Sequence, residues 1–302
     1  MDRSRAVYLT YRSLGAVLSH LPERAAVGIG DAVGMGLYAL QPTQREMIAA
    51  NLARVVGGTP PPGGRSRLVL QAFRSYARYW VEGARLGRMR RDTIVSNLTI
   101  DRGMEHLVAG AAAGRGVIVA LPHVGSWEYG GAYLSAIGYP MTVVAERVEP
   151  PELFDYFVAE RAAMGLTVVP LAREATGVVN RALRGGGLVG LLCDRDVGGG
   201  GVRVDLFGEP TTMPGGPAAL AMRTGAMLVT AAVYSGPGRH HRAVIDPPID
   251  TTRRGPFRRD LARLTQEIAT RFEALIAAHP EQWHVFQPVW LADRPVPAVE
   301  AR

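Results

Sequence analysis

From about residue 98 onward, short apolar runs of strand length alternate with segments of helical periodicity, and that alternation admits few architectures. The pattern predicts strands at 116–121, 141–146, 167–171, 188–193, 202–207, 227–234 and 242–246. Helices are expected between them at 104–112, 127–137, 152–164, 175–184, 215–224 and 257–278. Strands joined through helices pair in parallel and are covered on both sides. The expected fold class is therefore α/β, a mixed, largely parallel central sheet with helices on both faces. No internal repeat and no long linker divides the 302 residues. We read one domain, with residues 1–97 as an N-terminal helical subregion and 98–292 as the α/β core.

Ahead of the core, Ala6 to Leu21 and Ala25 to Leu40 are apolar but broken by Arg12, His20 and Asp31. Neither reaches the roughly 18–20 uninterrupted apolar residues of a spanning helix. No convincing signal-peptide pattern is present, so two helices that dock on the body or lie on a membrane surface are expected. Residues 57–64, Gly-Gly-Thr-Pro-Pro-Pro-Gly-Gly, read as a loop. An amphipathic helix follows, with Val69, Phe73, Tyr76 and Trp80 on one side. Arg65, Arg67, Arg74, Arg78, Arg85, Arg88, Arg90 and Arg91 flank it, as a solvated face or one that meets phosphate or lipid. Gly28-Ile-Gly-Asp-Ala-Val-Gly34 superficially resembles a dinucleotide fingerprint, but no strand precedes it. A close helix-packing surface is the better reading.

All 34 basic residues are arginine; the chain contains no lysine. Schiff-base, pyridoxal-phosphate and P-loop chemistry are thereby excluded. The net charge of +7 favours an anionic partner. Nucleic acid is not expected, because the arginines lack interleaved exposed aromatics and no recognised module appears. The single cysteine, Cys193, rules out an internal disulfide and a cysteine-based zinc site.

The chemistry is concentrated where the first core strand ends, in Val117-Ile-Val-Ala-Leu-Pro-His123-Val-Gly-Ser-Trp-Glu128. On a single helix, five steps of about 100° would leave His123 and Glu128 roughly 140° apart. The spacing works as a corner instead: Pro122 and Gly125 break the strand, and Ser126 caps a helix with Glu128 in its first turn. Such a carboxylate can fold back on the imidazole and fix its tautomer, the minimum equipment of a general base. Asp194-Arg195-Asp196 closes the strand before the glycines 198–201. It is open to three readings: a turn, a D-x-D metal site of glycosyltransferase type, or one aspartate that orients His123. The third is preferred, since His123 already supplies a base. His240 and His241 read as exposed loop residues, and His284 as packing or cavity lining. No H-E-x-x-H and no G-x-S-x-G occurs.

His123-Val-Gly-Ser-Trp-Glu128 resembles the H-x4-[DE] motif of the glycerolipid and lipid A acyltransferases. Phe207-Gly-Glu-Pro-Thr211, Met213-Pro-Gly-Gly-Pro-Ala218, Arg223-Thr-Gly-Ala226 and Asp194-Arg-Asp196 extend the likeness to the lipid A lauroyl/myristoyl group. With the aromatic tail Trp283 to Trp290, the chain looks most like its actinobacterial branch, the phosphatidylinositol mannoside acyltransferases. The mannoside enzymes usually carry Asp where this chain has Glu128. The resemblance implies transfer of a long acyl chain from acyl-CoA, as co-substrate, to a mannose hydroxyl of an anionic glycolipid, with no metal or other cofactor; the same family also leaves open another glycolipid acceptor or acyl carrier protein as donor. It implies an enzyme peripheral to the cytoplasmic face of the cell membrane. His123 would be the base, supported by Glu128 with Asp194 or Asp196. Amides around Gly125 to Trp127, Ser126 among them, would hold the oxyanion, and Arg147, Arg161 and Arg173 would meet phosphate.

Overall fold

A computed structural model of the chain describes residues 3–58, 63–172, 174–236, 238 and 240–294. Five helices come first: α1 (Arg3–His20), α2 (Glu23–Leu40), α3 (Pro42–Val55), α4 (Gly64–Leu86) and α5 (Arg91–Ser96). Pro22 and Pro42 punctuate them, Pro22 just before α2 and Pro42 opening α3, where a missing N–H costs nothing. The core then runs β1 (Leu98–Arg102), α6 (Met104–Ala112), β2 (Val117–Leu121), α7 (Trp127–Ala136), β3 (Met141–Ala145), α8 (Pro151–Ala163), β4 (Thr167–Pro170), α9 (Ala175–Arg184) and β5 (Leu188–Leu192). It closes with β6 (Val202–Leu206), β7 (Glu209–Met213), α10 (Gly216–Thr224), β8 (Met227–Ser235), β9 (His241–Ile245) and α11 (Phe257–Ala278). Most of the predicted loop at 57–64, residues 59–62, lies outside the described residues.

Seven strands form the main sheet in the order β1-β9-β8-β2-β5-β3-β4. Every pairing is parallel except β8 with β9, as the alternation of strands and helices predicts. Strand β5 arrives late in the chain and inserts between β2 and β3, so the crossovers reverse direction beside β2. The carboxyl ends at such a reversal leave the crevice in which open α/β sheets bind ligands. The 202–207 strand is real but sits apart, in the hairpin β6–β7, turned by Phe207 and Gly208, both at positive φ.

Along β2, Ile118 and Ala120 face one core cluster and Val117 and Val119 the other, the period-two signature of a strand buried on both sides. The first cluster packs under α9, α10 and α11 through Leu183, Ala218 and Phe272. The second packs under α6 and α7 through Leu107 and Tyr129. Helix α2 docks on α4 through the glycines that imitate a nucleotide fingerprint. A Cβ on Gly34 would lie 2.6 Å from the Arg74 Cα. Asp31, on the same face, accepts paired hydrogen bonds from Arg74 (2.9 and 3.1 Å) and Arg78 (both 2.6 Å). Burial would raise the Asp31 carboxyl, but these bonds outweigh it and hold it at about 2. Arg85 donates to the Leu18 and Leu21 carbonyls, and Arg91 to those of Ser135 and Ala136. Arg74, Arg78 and Arg85 of α4 therefore tie α2 and the end of α1 to that helix, and Arg91 of α5 ties the N-terminal helices to α7.

Candidate active site

Strands β2 and β5 run in register to their last residues, with Leu121 opposite Leu192. The Cys193 N–H continues the ladder to the Leu121 carbonyl at 3.1 Å. The residue that leaves each strand two positions on therefore meets its counterpart, and these are His123 and Asp194. His123 Nδ1 lies 2.5 Å from Asp194 Oδ1. Asp194 Oδ2 accepts the His123 backbone N–H and the Trp283 indole N–H, each at 2.9 Å. The Asp194 side chain is fully buried. Burial would raise its carboxyl, but the His123 charge and the three donors prevail and hold it below the ordinary value. An acceptor-only carboxylate on Nδ1 fixes the proton there and leaves Nε2 as the basic nitrogen.

The tail brings the remaining contacts. The His284 N–H donates to the His123 carbonyl at 2.7 Å, and the Gly125 N–H to the Gln282 carbonyl at 2.9 Å. The His284 ring stands beside the site with Nε2 2.9 Å from Ser75 Oγ; burial, then the charge of His123, push it down to about 3. It is a neutral wall of the site at ordinary pH.

His123 lines a cavity of about 680 Å³ at the carboxyl ends of β3 and β5. Tyr79, Trp80, Trp127, Phe154, Phe157 and Leu166 make one wall apolar. Glu128 lines it too but is bonded to Arg161, and Tyr79 joins the pair through its hydroxyl. Burial and then the Glu128 charge push the Tyr79 hydroxyl well up.

Several placements correct the expectations from sequence. Asp194, and not the nearer Glu128, holds His123, because parallel register aligns the strand ends whereas Glu128 turns to Arg161 of α8. Gly125 and Ser126 are not open to substrate. The Ser126 N–H donates to the Val233 carbonyl at 2.8 Å and its hydroxyl to Glu82, while the Gly125 N–H is held by Gln282. Of the amides expected to hold the oxyanion, around Gly125 to Trp127, those of Gly125 and Ser126 are therefore already engaged. Asp196 lines the cavity but accepts the Gly201 N–H at 2.9 Å, which holds the glycine loop. A metal shared by the two aspartates would have to displace the three donors on Asp194. Arg147 is exposed, stacked 5.8 Å over the Phe154 ring. Arg173 lies outside the described residues. His241 is buried, stacked 3.9 Å from Tyr129 with Nε2 2.7 Å from Glu82 Oε1, while His240 is exposed as expected. Sequence reading gave Trp283 no partner and left Tyr79 out; their only signal was aromatic residues on segments far from the corner.

Comparison with known proteins fits this arrangement. The bacterial lipid A biosynthesis acyltransferase family matches residues 4–292, nearly the whole chain. The chain belongs to that family. It is an acyltransferase. A phosphatidylinositol mannoside acyltransferase of Mycobacterium tuberculosis (strain ATCC 25618 / H37Rv) is 40% identical over 252 residues, covering 82% of this chain and 78% of its own. The protein of that name in Mycolicibacterium smegmatis (strain ATCC 700084 / mc(2)155) is 37% identical over 289 residues, 94% of this chain and 91% of its own. The H-x4-E corner of this acyltransferase thus stands at the reversal of the sheet, with its histidine held from a second strand.

Proposed function

We propose that this acyltransferase moves a long fatty acyl chain from acyl-CoA to a mannose hydroxyl of a phosphatidylinositol mannoside, with His123 as general base. The observation that carries the reading is His123 itself: Nδ1 is tied to a buried carboxylate at 2.5 Å, and the ring lines a cavity walled by aromatic side chains. His123 Nε2 takes the proton of the acceptor hydroxyl as its oxygen attacks the thioester carbonyl. The C–O bond forms, the tetrahedral intermediate collapses with cleavage of C–S, and the imidazolium returns its proton to the departing thiolate. Asp194 stabilises the imidazolium without itself taking the proton. Glu128 acts at one remove, fixing Arg161 and Tyr79 in the cavity wall. The names of the relatives support the acceptor class.

The surface supports a peripheral seat on the cytoplasmic face of the membrane, where an acyl-CoA donor is met. Leu14 and Val17 of α1 and Val33 and Leu40 of α2 are exposed apolar residues. Among the described residues no helix is long and apolar enough to cross a membrane. Tyr11 of α1 packs edge-on against Trp80 and Phe157, which line the cavity, so the exposed apolar surface runs toward the site. The test is single-turnover transfer from palmitoyl-CoA to a phosphatidylinositol mannoside in EDTA. The wild type should transfer, and a folded His123→Ala variant should be slower by several orders of magnitude. Equal rates would remove His123 from the chemistry.

A further inference from the structure

Helix α4 stands between two cavities. Tyr76, Tyr79 and Trp80 line the reaction cavity, whereas Gln71, Arg74, Ser75, Arg78, Glu82 and Arg85 line a second one of about 630 Å³. The second set recurs at steps of three and four residues, so it is one face of the helix. No residue lines both cavities. The wall between them is bonded across: Ser75 Oγ lies 2.9 Å from His284 Nε2, and the Gln282 side chain holds the N–H and the carbonyl of Ser235, each at 2.8 Å. A molecule in the second cavity is therefore parted from His123, and the reaction as described makes no use of the space, although its volume is that of a small-molecule site.

The charges that line it are matched within the protein. Asp31 takes Nε and Nη2 of both Arg74 and Arg78, Asp101 takes Nε and Nη2 of Arg242, and Arg85 Nη1 is spent on the Leu18 and Leu21 carbonyls. Three carboxylates line the same space. Glu82 takes the Ser126 hydroxyl and lies 2.7 Å from His241 Nε2, Glu281 lies 3.3 Å from His279 Nδ1, and Glu23 of α2 is also engaged. Neither sign is left in excess for a free ion, and no three metal-ligating side chains meet among the described residues. Neutral bonding capacity remains. Among the described residues Arg74, Arg78 and Arg242 keep Nη1, and the exposed Gln71 keeps its amide. Asn97 keeps Oδ1 while its Nδ2 donates to the Thr93 carbonyl at 2.7 Å. The floor is His241, stacked on Tyr129, with Nδ1 buried and unpaired. Ala26, Val27, Val81 and Met89 supply apolar patches between these groups.

We infer that the second cavity binds a neutral polyhydroxyl ring, a hexose or a cyclitol, apart from the one being acylated. Each hydroxyl of such a ring donates and accepts at once, so guanidinium, amide and carboxylate neighbours serve it side by side, and its C–H faces suit the apolar patches. An acyl chain would leave the polar lining unpaired, and a phosphate would be set against Glu23, Glu82 and Glu281. Glu23, Ala26 and Val27 of α2 form one rim, and Val33 and Leu40 of the same helix are exposed apolar residues. The rim thus lies on the helix that the membrane seat uses, where a ring carried on a lipid would arrive. The inference rests on the glycolipid acceptor class proposed above, which sets the choice of ring. The same ring occurs free and on a lipid headgroup, and the experiment separates the two sources.

The experiment is calorimetric titration of methyl α-mannoside and of myo-inositol into the full chain. At least one should bind saturably, with Kd on the order of 1 mM for so small a ligand. Trp80 and Trp127 line the reaction cavity and no tryptophan lines the second, so their indole N–H signals, followed by NMR in the same titration, should stay in place. Gln71→Ala with Asn97→Ala should raise Kd about tenfold. Gln71→Trp sets an indole at an exposed place on the rim and should abolish binding, which keeps the test intact if the double variant folds poorly. No saturable binding, binding that neither variant weakens, or binding that shifts the Trp80 and Trp127 signals overturns the inference. Sedimentation with phosphatidylcholine vesicles, with and without phosphatidylinositol mannoside, then assigns the source. A glycolipid-dependent gain that Gln71→Trp removes places the ring on a lipid, and equal sedimentation assigns the site to free sugar; either supports the inference once the titrations hold. Acyl transfer by the same preparations keeps the two readings apart. Transfer without ring binding sinks this inference alone, and ring binding without transfer sinks the acyl-transfer reading alone.

Discussion

Replacing Asp194 with Asn separates what the carboxylate does for chemistry from what it does for the fold. The side chain keeps its shape but has one acceptor oxygen where the carboxylate had two. Oδ2 receives two N–H groups, from the His123 backbone and Trp283, both at 2.9 Å. The amide oxygen must stay there, because the reverse orientation would set an NH₂ against two donors. The NH₂ then faces Nδ1, which has to become an acceptor, and the imidazole proton moves to Nε2. The base is lost with the ring still in place. A wrong tautomer of this kind lowers kcat by about 10⁴, roughly 5.5 kcal/mol of transition-state stabilisation. Stability should change by less than about 2 kcal/mol, since the two donors on Oδ2 remain satisfied. Asp194→Ala is the contrasting variant. It strands three buried donors at about 1–3 kcal/mol each and should fail to fold well. The assay is single-turnover acyl transfer beside urea unfolding of the same preparations. If Asp194→Asn retains more than about a tenth of wild-type kcat, the tautomer argument is refuted.

Four further outcomes follow from the same contacts. Gly125→Ala places a Cβ 2.1 Å from the Val233 carbonyl at a φ of 60°, so it should lose about 3 kcal/mol in chemical unfolding. Glu128→Gln leaves the Arg161 charge uncompensated and should cost about 3 kcal/mol, whereas Glu128→Asp preserves the pair and should cost about 1; equal losses would show that the pair's charge is not what matters. His284 is held down to about 3 when folded, against about 6.5 unfolded, so below pH 6.5 the unfolded state binds more protons. Its stabilisation is complete above pH 6.5 and falls by up to about 1.4 kcal/mol per pH unit toward pH 3; urea titrations at pH 7 and 5 should show that slope and a flatter one for His284→Gln. Leu14→Glu with Val33→Glu should weaken sedimentation with anionic vesicles by about tenfold or more, and unchanged partitioning would move the membrane face elsewhere.

What could be read from the chain and what could not divide along the range of the signal. Helices α6 and α11 and strand β2 were legible because their periodicity is local and strong. Strand β1, Leu-Thr-Ile-Asp-Arg, was missed because it alternates weakly and has a strand partner on one side only, where β9 joins it. Strand β7 was missed because Pro210 disguises it, a residue tolerated there because the hairpin stands outside the main sheet. Helix α3 escaped because its apolar residues are sparse, yet Ile48 and Leu52 are almost fully buried. His241 looked like part of an exposed loop because of its glycine and proline neighbours. In the structure it is the first residue of β9 and turns inward onto Tyr129. The arginines of α4 looked like a solvated face or one that meets phosphate or lipid, and nothing nearby in sequence indicated that Asp31 would engage two of them.

The partner of His123 shows the same limit inside the site. Sequence proximity offers Glu128, five residues on and at a helix start that favours a carboxylate. Distance along the chain is irrelevant once β5 inserts beside β2, since the register carries Asp194, 71 residues away, to Nδ1. Register alone does not finish the work. An aspartate beside a histidine can rotate, and a rotated carboxylate would no longer select the tautomer. The tail removes that freedom. The Trp283 indole takes one lobe of Oδ2, the His284 amide holds the His123 carbonyl, and the Gln282 carbonyl holds Gly125. Gln282 is anchored in turn, its side chain bonding both the N–H and the carbonyl of Ser235 at 2.8 Å. Three consecutive tail residues thus clamp the corner from the end of β8, which makes the tail part of the base's geometry. A phenylalanine at 283 would fill the same space yet leave Oδ2 with the His123 backbone N–H as its one remaining donor, so what that position adds to the base's geometry is the indole N–H rather than the ring.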